Sequence, residues 1–316
     1  MIDVSIIIIN FNASDYLEAC LNSLYKETKD ISFEVIVVDN GSANFDLDLW
    51  QKKYSHITFV RNFTNKGFAA ANNDGLKYAN GRYVLFLNND TRFTEDTIKK
   101  AFDFAEGLSK PVFIGCQLLN GDLSKQESVV CSPSVWNGFT ENFFLYKIFP
   151  HSKLFNKYYQ NNSDWGSPVK VDVIRGAFMF CPSNVIKELN GFDDRFFFYS
   201  EETDLCFRFH KIGGETYFLP DVKLIHYGGV TTDKYLWFKF KNQTIGKIQY
   251  YQKHFAGIRF VTIIIIHFVG LFLRGLLNTI AGIILFRKKI LLKGYYFFRQ
   301  LFVYPRNVFS NKFLNR

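Results

Sequence analysis

A chain of 316 residues suits one catalytic domain of ordinary size with an appendage, and its 48% hydrophobic content can bury a sizeable core, which excludes a disordered chain. The net charge of +9 is unevenly spread: the last acidic residue is Asp233, and of the 38 Lys and Arg, 15 lie in residues 234–316, leaving 23 basic against 29 acidic residues in 1–233. A mildly acidic body with a wholly basic tail points to an anionic partner for the tail, and the tail's long apolar runs favour lipid over nucleic acid.

Five cysteines (Cys20, Cys116, Cys131, Cys181, Cys206), an odd number without a C-x-x-C pair, argue against a disulfide framework and a structural zinc site, and fit a reducing compartment. The opening MIDVSIIIINFN lacks a basic n-region and a small-residue cleavage site. It reads as a strand rather than a signal peptide.

In chain order, Val4–Ile9 is a β-branched run ended by Asn10, Asn12 and Ser14. Leu17, Cys20, Leu21 and Leu24 predict an amphipathic helix over Asp15–Lys26. Strands are expected at Phe33–Val38, Ile57–Val60, Tyr83–Leu87 and Val112–Gly115, with helices at Gly67–Ala79 and at Thr94–Glu106, the latter capped by Thr94. Gly121–Pro168, with Trp136, Phe139, Phe143, Phe144, Tyr158, Tyr159 and Trp165, reads as a long loop or helical insertion. Val171–Cys181 is expected as one strand through Arg175-Gly176-Ala177, followed by helices at Ser183–Leu189 and Glu201–Lys211. Strands alternating with helices predict an α/β fold with a mostly parallel sheet, whose ligands bind beyond the carboxyl ends of the strands. The polar clusters Asn10–Asn12, Asp39–Ser42 and Asn88–Asp90 should crowd that edge.

Four constellations can carry chemistry. Asp39 ends a strand before Gly41, where a carboxylate can bond a pyrimidine ring or a ribose, or simply form a turn. Asn88-Asn89-Asp90 also ends a strand and can hold Mg2+ or Mn2+ beside a diphosphate. Glu201-Glu202-Thr203-Asp204 gathers three carboxylates after the aromatic run Phe196–Tyr199. Such acids can complement a helix dipole, but partial desolvation raises a carboxylate pKa and suits a general base. His226 precedes two glycines that let backbone approach a ligand.

Taken in order, VSIIIINFN, VIVVDNGS, RNFTNKGFAAANN, GRYVLFLNNDT, VIRGAFMFCP, GFDDRFFFYSEETDLCFR and HYGG resemble the inverting family 2 glycosyltransferases, with the rhamnosyltransferase-like bacterial branch nearest. The seven segments span residues 4 to 229. The resemblance implies a GT-A fold, a divalent metal (Mg2+ or Mn2+) and a dTDP- or UDP-linked sugar donor, with rhamnose the leading candidate. It implies that Asp39 contacts the base, and that Asn10, Asn12, Asn65, Gly67, Asn72 and Asn89 line the nucleotide-sugar site. Asp90 becomes the metal-binding acid of a D-x-D-like motif that here reads Asn-Asn-Asp, and His226 approaches the metal from the C-terminal side. Glu202 is the expected base, with Glu201 and Asp204 as alternatives, because this chain carries Glu-Glu where the family has Glu-Asp. Arg208 is expected to anchor the acids, and Arg175, Gly176 and Tyr199 to face the acceptor.

The expected division is a catalytic domain over 1–233 and a basic, apolar helical region over 234–316 that associates with a membrane. Phe260–Leu273 and Gly275–Phe286 are each too short to cross a bilayer, and a single span would place Arg274 near its centre at a cost of about 2.5–3.5 kcal/mol. Two helices lying in the interface are therefore expected, on the cytoplasmic face, with Arg287-Lys288-Lys289, Lys293, Arg299 and Arg306 meeting anionic headgroups. The runner-up is a spanning helix with Arg274 paired within a homo-oligomer. Relatives that extend glycans on polyprenyl diphosphates imply a lipid-linked glycan acceptor in cell-surface polysaccharide assembly. The competing functions are a nucleotidyltransferase, whose glycine-rich basic first loop is missing from Asn10-Phe11-Asn12, and a membrane-tethered nucleotide-sugar-binding protein with a degenerate site.

Overall fold

The computed structural model of the chain describes residues 1–156, 165–229 and 236–309. Tyr158, Tyr159 and the expected boundary at 233/234 lie outside the described residues. The chain divides into two compact units. One holds residues 1–130, 165–197 and 201–229; the other holds 131–156, 198–200 and 236–309.

The elements of the first unit, together with α5 and α6, which belong to the second, are β1 (Val4–Asn10), α1 (Ser14–Glu27), β2 (Phe33–Asn40), α2 (Leu47–Lys53), β3 (Thr58–Asn62), α3 (Phe68–Leu76), β4 (Tyr83–Asn88), β5 (Thr91–Arg92), α4 (Thr97–Glu106), β6 (Val112–Leu119), β7 (Val129–Val130), α5 (Val135–Asn142), α6 (Leu145–Ile148), β8 (Val169–Val171), β9 (Val173–Ile174), β10 (Phe178–Pro182), α7 (Ser183–Glu188), α8 (Glu201–Lys211) and β11 (Glu215–His226). The main sheet runs β3-β2-β1-β4-β10-β6-β11-β5, with β8 added on β11. Strands β3, β2, β1 and β4 are parallel, as are β6 and β11, while β10 runs antiparallel between the two sets. The sheet is therefore mixed but mostly parallel, as in a GT-A fold.

The continuous apolar runs of β1, β2 and β4 follow from burial on both faces. Ile6, Ile8, Val35, Val37, Leu85 and Leu87 pack with Leu17, Cys20, Leu21 and Leu24 of α1. On the other face α3 comes against Ile7 and Val38 at Gly75. Each such side chain, fully buried, contributes roughly 1.5–3 kcal/mol.

Two local expectations are corrected and a third is refined. Val171–Cys181 is not one strand: β8 pairs with β11 and β9 with β7, and a turn in which Phe178 N donates to Arg175 O (3.4 Å) separates β9 from β10. Asp96, not Thr94, caps α4; its Oδ1 accepts from Lys99 N at 3.2 Å. The expected loop or insertion at Gly121–Pro168 contributes β7 to the first unit and α5 and α6 to the second.

The second unit contains α9 (Leu236–His254), α10 (Gly257–Ile284) and α11 (Lys288–Val308). Ile248, Leu271, Tyr304 and Val308 form its buried cluster. The apolar stretch is one continuous helix rather than two halves divided at Arg274. Arg274 does not interrupt it because the guanidinium turns inward: Nη1 donates to Asn142 Oδ1 (2.6 Å) and Nη2 to Glu141 O (2.8 Å) on α5. Glu141 also pairs with Lys247 of α9 at 2.6 Å. The outward face of α10 remains apolar, with Ile258, Val261, Ile265, Phe268, Phe272, Leu276, Ile280 and Ile283 exposed.

Candidate active site

Register places the ends of β1, β2 and β4 side by side: Asn10 lies opposite Asp39, and Ile9 opposite Asn88. At this edge Asn10 Nδ2 donates to Asp39 Oδ1 (3.2 Å) and Ser42 Oγ (3.4 Å), and its own Oδ1 accepts from Asn89 Nδ2 (3.1 Å). Ser42 N donates to the second oxygen of Asp39 at 3.2 Å. Asn12, in the left-handed region at φ 51°, donates its N–H to Ser42 Oγ (2.8 Å) and accepts from Ala43 N (2.9 Å). Asn10, Asn12, Asp39 and Asn89 thus form one polar network, with Ser42 at its centre.

Asn65 serves the adjoining loop. Its Oδ1 accepts from Asn40 Nδ2 (3.0 Å) and from Gly67 N (2.9 Å). Gly67 adopts φ 88°, and a methyl group there would run into the Phe197 carbonyl, which accepts from Phe68 N at 2.9 Å. Only glycine fits this start of α3. Asn72 donates to Phe68 O (3.0 Å), while its own buried Oδ1 has no hydrogen-bond partner among the described residues.

Asp90 and His226 meet across a small antiparallel ladder. β5 pairs with the end of β11, His226 opposite Thr91, and Tyr227 N donates to Asp90 O at 2.9 Å. This brings His226 Nε2 within 3.3 Å of Asp90 Oδ1 and 3.2 Å of Asn88 Nδ2. On the far side of the ring, Nδ1 lies 2.7 Å from Gln126 Oε1. One carboxylate and one imidazole with lone pairs at the same point fit a divalent cation. Among the described residues no third His, Cys, Asp or Glu joins them, so phosphate and water oxygens would complete the shell.

The acids of α8 occupy different environments. Asp204 is fully buried and tied to Arg208 Nε (2.8 Å), whose other nitrogens donate to Leu189 O (2.7 Å) and Gly191 O (2.8 Å). Arg208 is therefore an anchor, and Asp204 is committed to it. Glu201 and Glu202 are buried, each with one carboxylate oxygen that meets no hydrogen-bond donor among the described residues. Burial, reinforced by the neighbouring Glu202, pushes the Glu201 pKa well above the ordinary range. Glu202 lies 3.9 Å from Arg175 Nη1, and the other arm of Arg175 pairs with Glu127. The ribbon of β7 and β9 sets this arrangement, since Arg175 N donates to Ser128 O at 3.0 Å. A methyl group added at Gly176 would meet Glu202 Cβ and the Phe68 ring, each at 3.8 Å. Ala177 O accepts from Asn88 N (3.1 Å), which joins this turn to the end of β4. Tyr199 and Ser200, both left-handed at φ 71° and 74°, immediately precede α8 and belong to the second unit.

Residues 5–179 match the family model described as Glycosyl transferase family 2, which covers more than half of the chain. The chain belongs to glycosyl transferase family 2. It is similar to the rhamnosyltransferase WbbL of Escherichia coli K12 (26% identity, 71% of this chain, 83% of the relative). It is also similar to the E. coli UDP-Glc:alpha-D-GlcNAc-diphosphoundecaprenol beta-1,3-glucosyltransferase WfaP (36% identity, 33% of this chain, 41% of the relative). The chain spans only 18% of the length of a further curated relative, the poly(ribitol-phosphate) beta-glucosyltransferase of Bacillus spizizenii. In fold it resembles the mannosyltransferase PcManGT of Pyrobaculum calidifontis, solved with GDP-Man and Mn2+: TM-score 0.55, 14% identity, 98% of this chain and 87% of that one.

Sequence reasoning missed Ser42, Gln126 and Glu127 as parts of the site. Ser42 is expected at the ligand edge only as the last member of the Asp39–Ser42 cluster, without a role of its own. Gln126 and Glu127 fall in the irregular stretch after β6, where no periodicity or strand end marked them.

Proposed function

We propose that this glycosyltransferase moves a sugar, with inversion, from a dTDP- or UDP-linked donor, rhamnose being the leading candidate, to a lipid-linked glycan acceptor in cell-surface polysaccharide assembly. The observation that carries the metal-dependent reading is the approach of His226 Nε2 to Asp90 Oδ1 at 3.3 Å, at the strand edge that also holds Asn10, Asp39 and Asn89. Mn2+ or Mg2+ bound there would offset charge on the departing diphosphate.

Asp39, held by Asn10 and Ser42, presents its carboxylate to the base, and Asn12 and Asn89 close the nucleotide side. Asn65, Gly67 and Asn72 shape that side from behind. Glu202 is the base: its unpartnered oxygen takes the proton of the acceptor hydroxyl as the hydroxyl oxygen bonds to the anomeric carbon. The anomeric carbon–oxygen bond breaks on the opposite face, and its electron pair leaves with the nucleoside diphosphate. Arg175, 3.9 Å from Glu202, and Gly176 face the acceptor.

Glu202→Gln should lower turnover by about 10²–10⁴-fold while nucleoside diphosphate binding, read by calorimetry with Mn2+, stays close to wild type. Near-normal turnover would move the base role to Glu201. Folded protein that bound no nucleoside diphosphate would favour the degenerate binding protein instead.

The tail supports action at the cytoplasmic face of a membrane, with the protein monotopic. Among the described residues, α10 is the one helix long and apolar enough to cross a bilayer. Its inward polar contacts and one-sided apolar face suit a helix lying in the interface, beside the basic residues of α11.

A further inference from the structure

Gln126 lies 100 residues from His226 in sequence yet touches it twice. Its amide orientation is fixed by partners that can only accept or are already committed. Nε2 donates to the His226 backbone carbonyl (3.2 Å) and to Asn120 Oδ1 (2.9 Å). The amide of Asn120 is itself set by its donation to Ser124 Oγ at 2.9 Å. Gln126 must therefore turn its oxygen to His226 Nδ1, at 2.7 Å. An amide oxygen can only accept, so Nδ1 carries the proton. In the neutral ring Nε2 then keeps a lone pair, directed at Asn88 Nδ2 and Asp90 Oδ1.

We infer that Gln126 is a positioning residue that locks His226 in the Nδ1–H tautomer and fixes the ring plane, so that the Nε2 lone pair is ready beside Asp90 before any cation arrives. The inference rests on the Asp90–His226 metal reading for its use but not for its geometry. Partners that orient a liganding imidazole in this way contribute about 10–100-fold in metal affinity.

The test is 15N–1H correlation NMR of the histidine rings in the full-length, metal-free protein, with His226 assigned by the signals that disappear in His226→Asn. Wild type should show the Nδ1–H form. Gln126→Leu should lose it in favour of Nε2–H or a mixture, and Gln126→Glu should retain it, since a carboxylate accepts the same proton. Affinity for Mn2+ alone, read by electron paramagnetic resonance, should fall about 10–100-fold in Gln126→Leu and stay near wild type in Gln126→Glu. A wild-type His226 in the Nε2–H form overturns the inference whether or not the variants fold. So does a Gln126→Leu protein with unchanged tautomer and unchanged Mn2+ affinity. If His226→Asn binds Mn2+ as wild type does, the metal reading fails by itself, and the tautomer spectra still decide the role of Gln126.

Discussion

Glu201 and Glu202 are neighbours in sequence, yet among the described residues only Glu202 has a cation within 4 Å. Burial and the Glu202 charge raise the Glu201 pKa, so the folded protein holds that proton above the range where an unfolded glutamate, at about 4.3, has released it. The unfolded state then binds fewer protons, and stability falls as pH rises from about 4.3 toward the raised folded value. Glu201→Gln removes this penalty. Thermal midpoints should show the variant gaining over wild type between pH 5 and pH 8, by about 2–4 °C for each kcal/mol relieved. A constant difference across that range would mean Glu201 is ionised in the fold. At this scale the acids of α8, Asp90, Asp39 and His226 were legible because each sits at a strand end or helix start where polar residues interrupt an apolar run. Gln126 and Glu127 were not, because what selects them is a partner 100 or 48 positions away along the chain.

Periodicity located most elements of the first unit within a few residues, since parallel strands buried on both faces write continuous apolar runs. It failed where one apolar run held three short strands, because the turn at Arg175–Ala177 is set by pairing with Ser128 and Asn88 rather than by local sequence. The start of α3 shows how an element holds the site. Gly67→Ala adds backbone strain of about 1–3 kcal/mol and drives a methyl into the Phe197 carbonyl, four residues before Glu201. Gly213 has a similar φ of 84° but open space around it. Gly213→Ala should therefore lower the thermal midpoint while keeping turnover per folded molecule, whereas Gly67→Ala should lower both. Equal turnover in the two variants would detach the Phe197 loop from catalysis.

For the whole molecule, the division of charge was plain in sequence, but the division of structure was not. Residues 131–156 group with α9, α10 and α11; their aromatic residues, from Trp136 to Phe155, set them apart from the stretch before but do not say which unit they join. A tail without carboxylates, with an exposed apolar face on α10, should bind vesicles that contain anionic phospholipid. Flotation should recover the protein with such vesicles, alkaline carbonate should release it, and Phe268→Glu with Phe272→Glu should abolish recovery without unfolding the chain. Resistance to carbonate would show that α10 spans.

The inward anchoring of Arg274 has a mechanical side. A lipid-facing helix that is apolar all round can roll about its axis at little cost, and whatever it carries rolls with it. With Arg274 tethered to Asn142 and the Glu141 carbonyl, rolling by half a turn would break two charge-assisted hydrogen bonds and turn a guanidinium toward hydrocarbon. The residue that looked like an obstacle to membrane contact thus works as a key in a slot, fixing one side of α10 against α5 and leaving the opposite, apolar side outward.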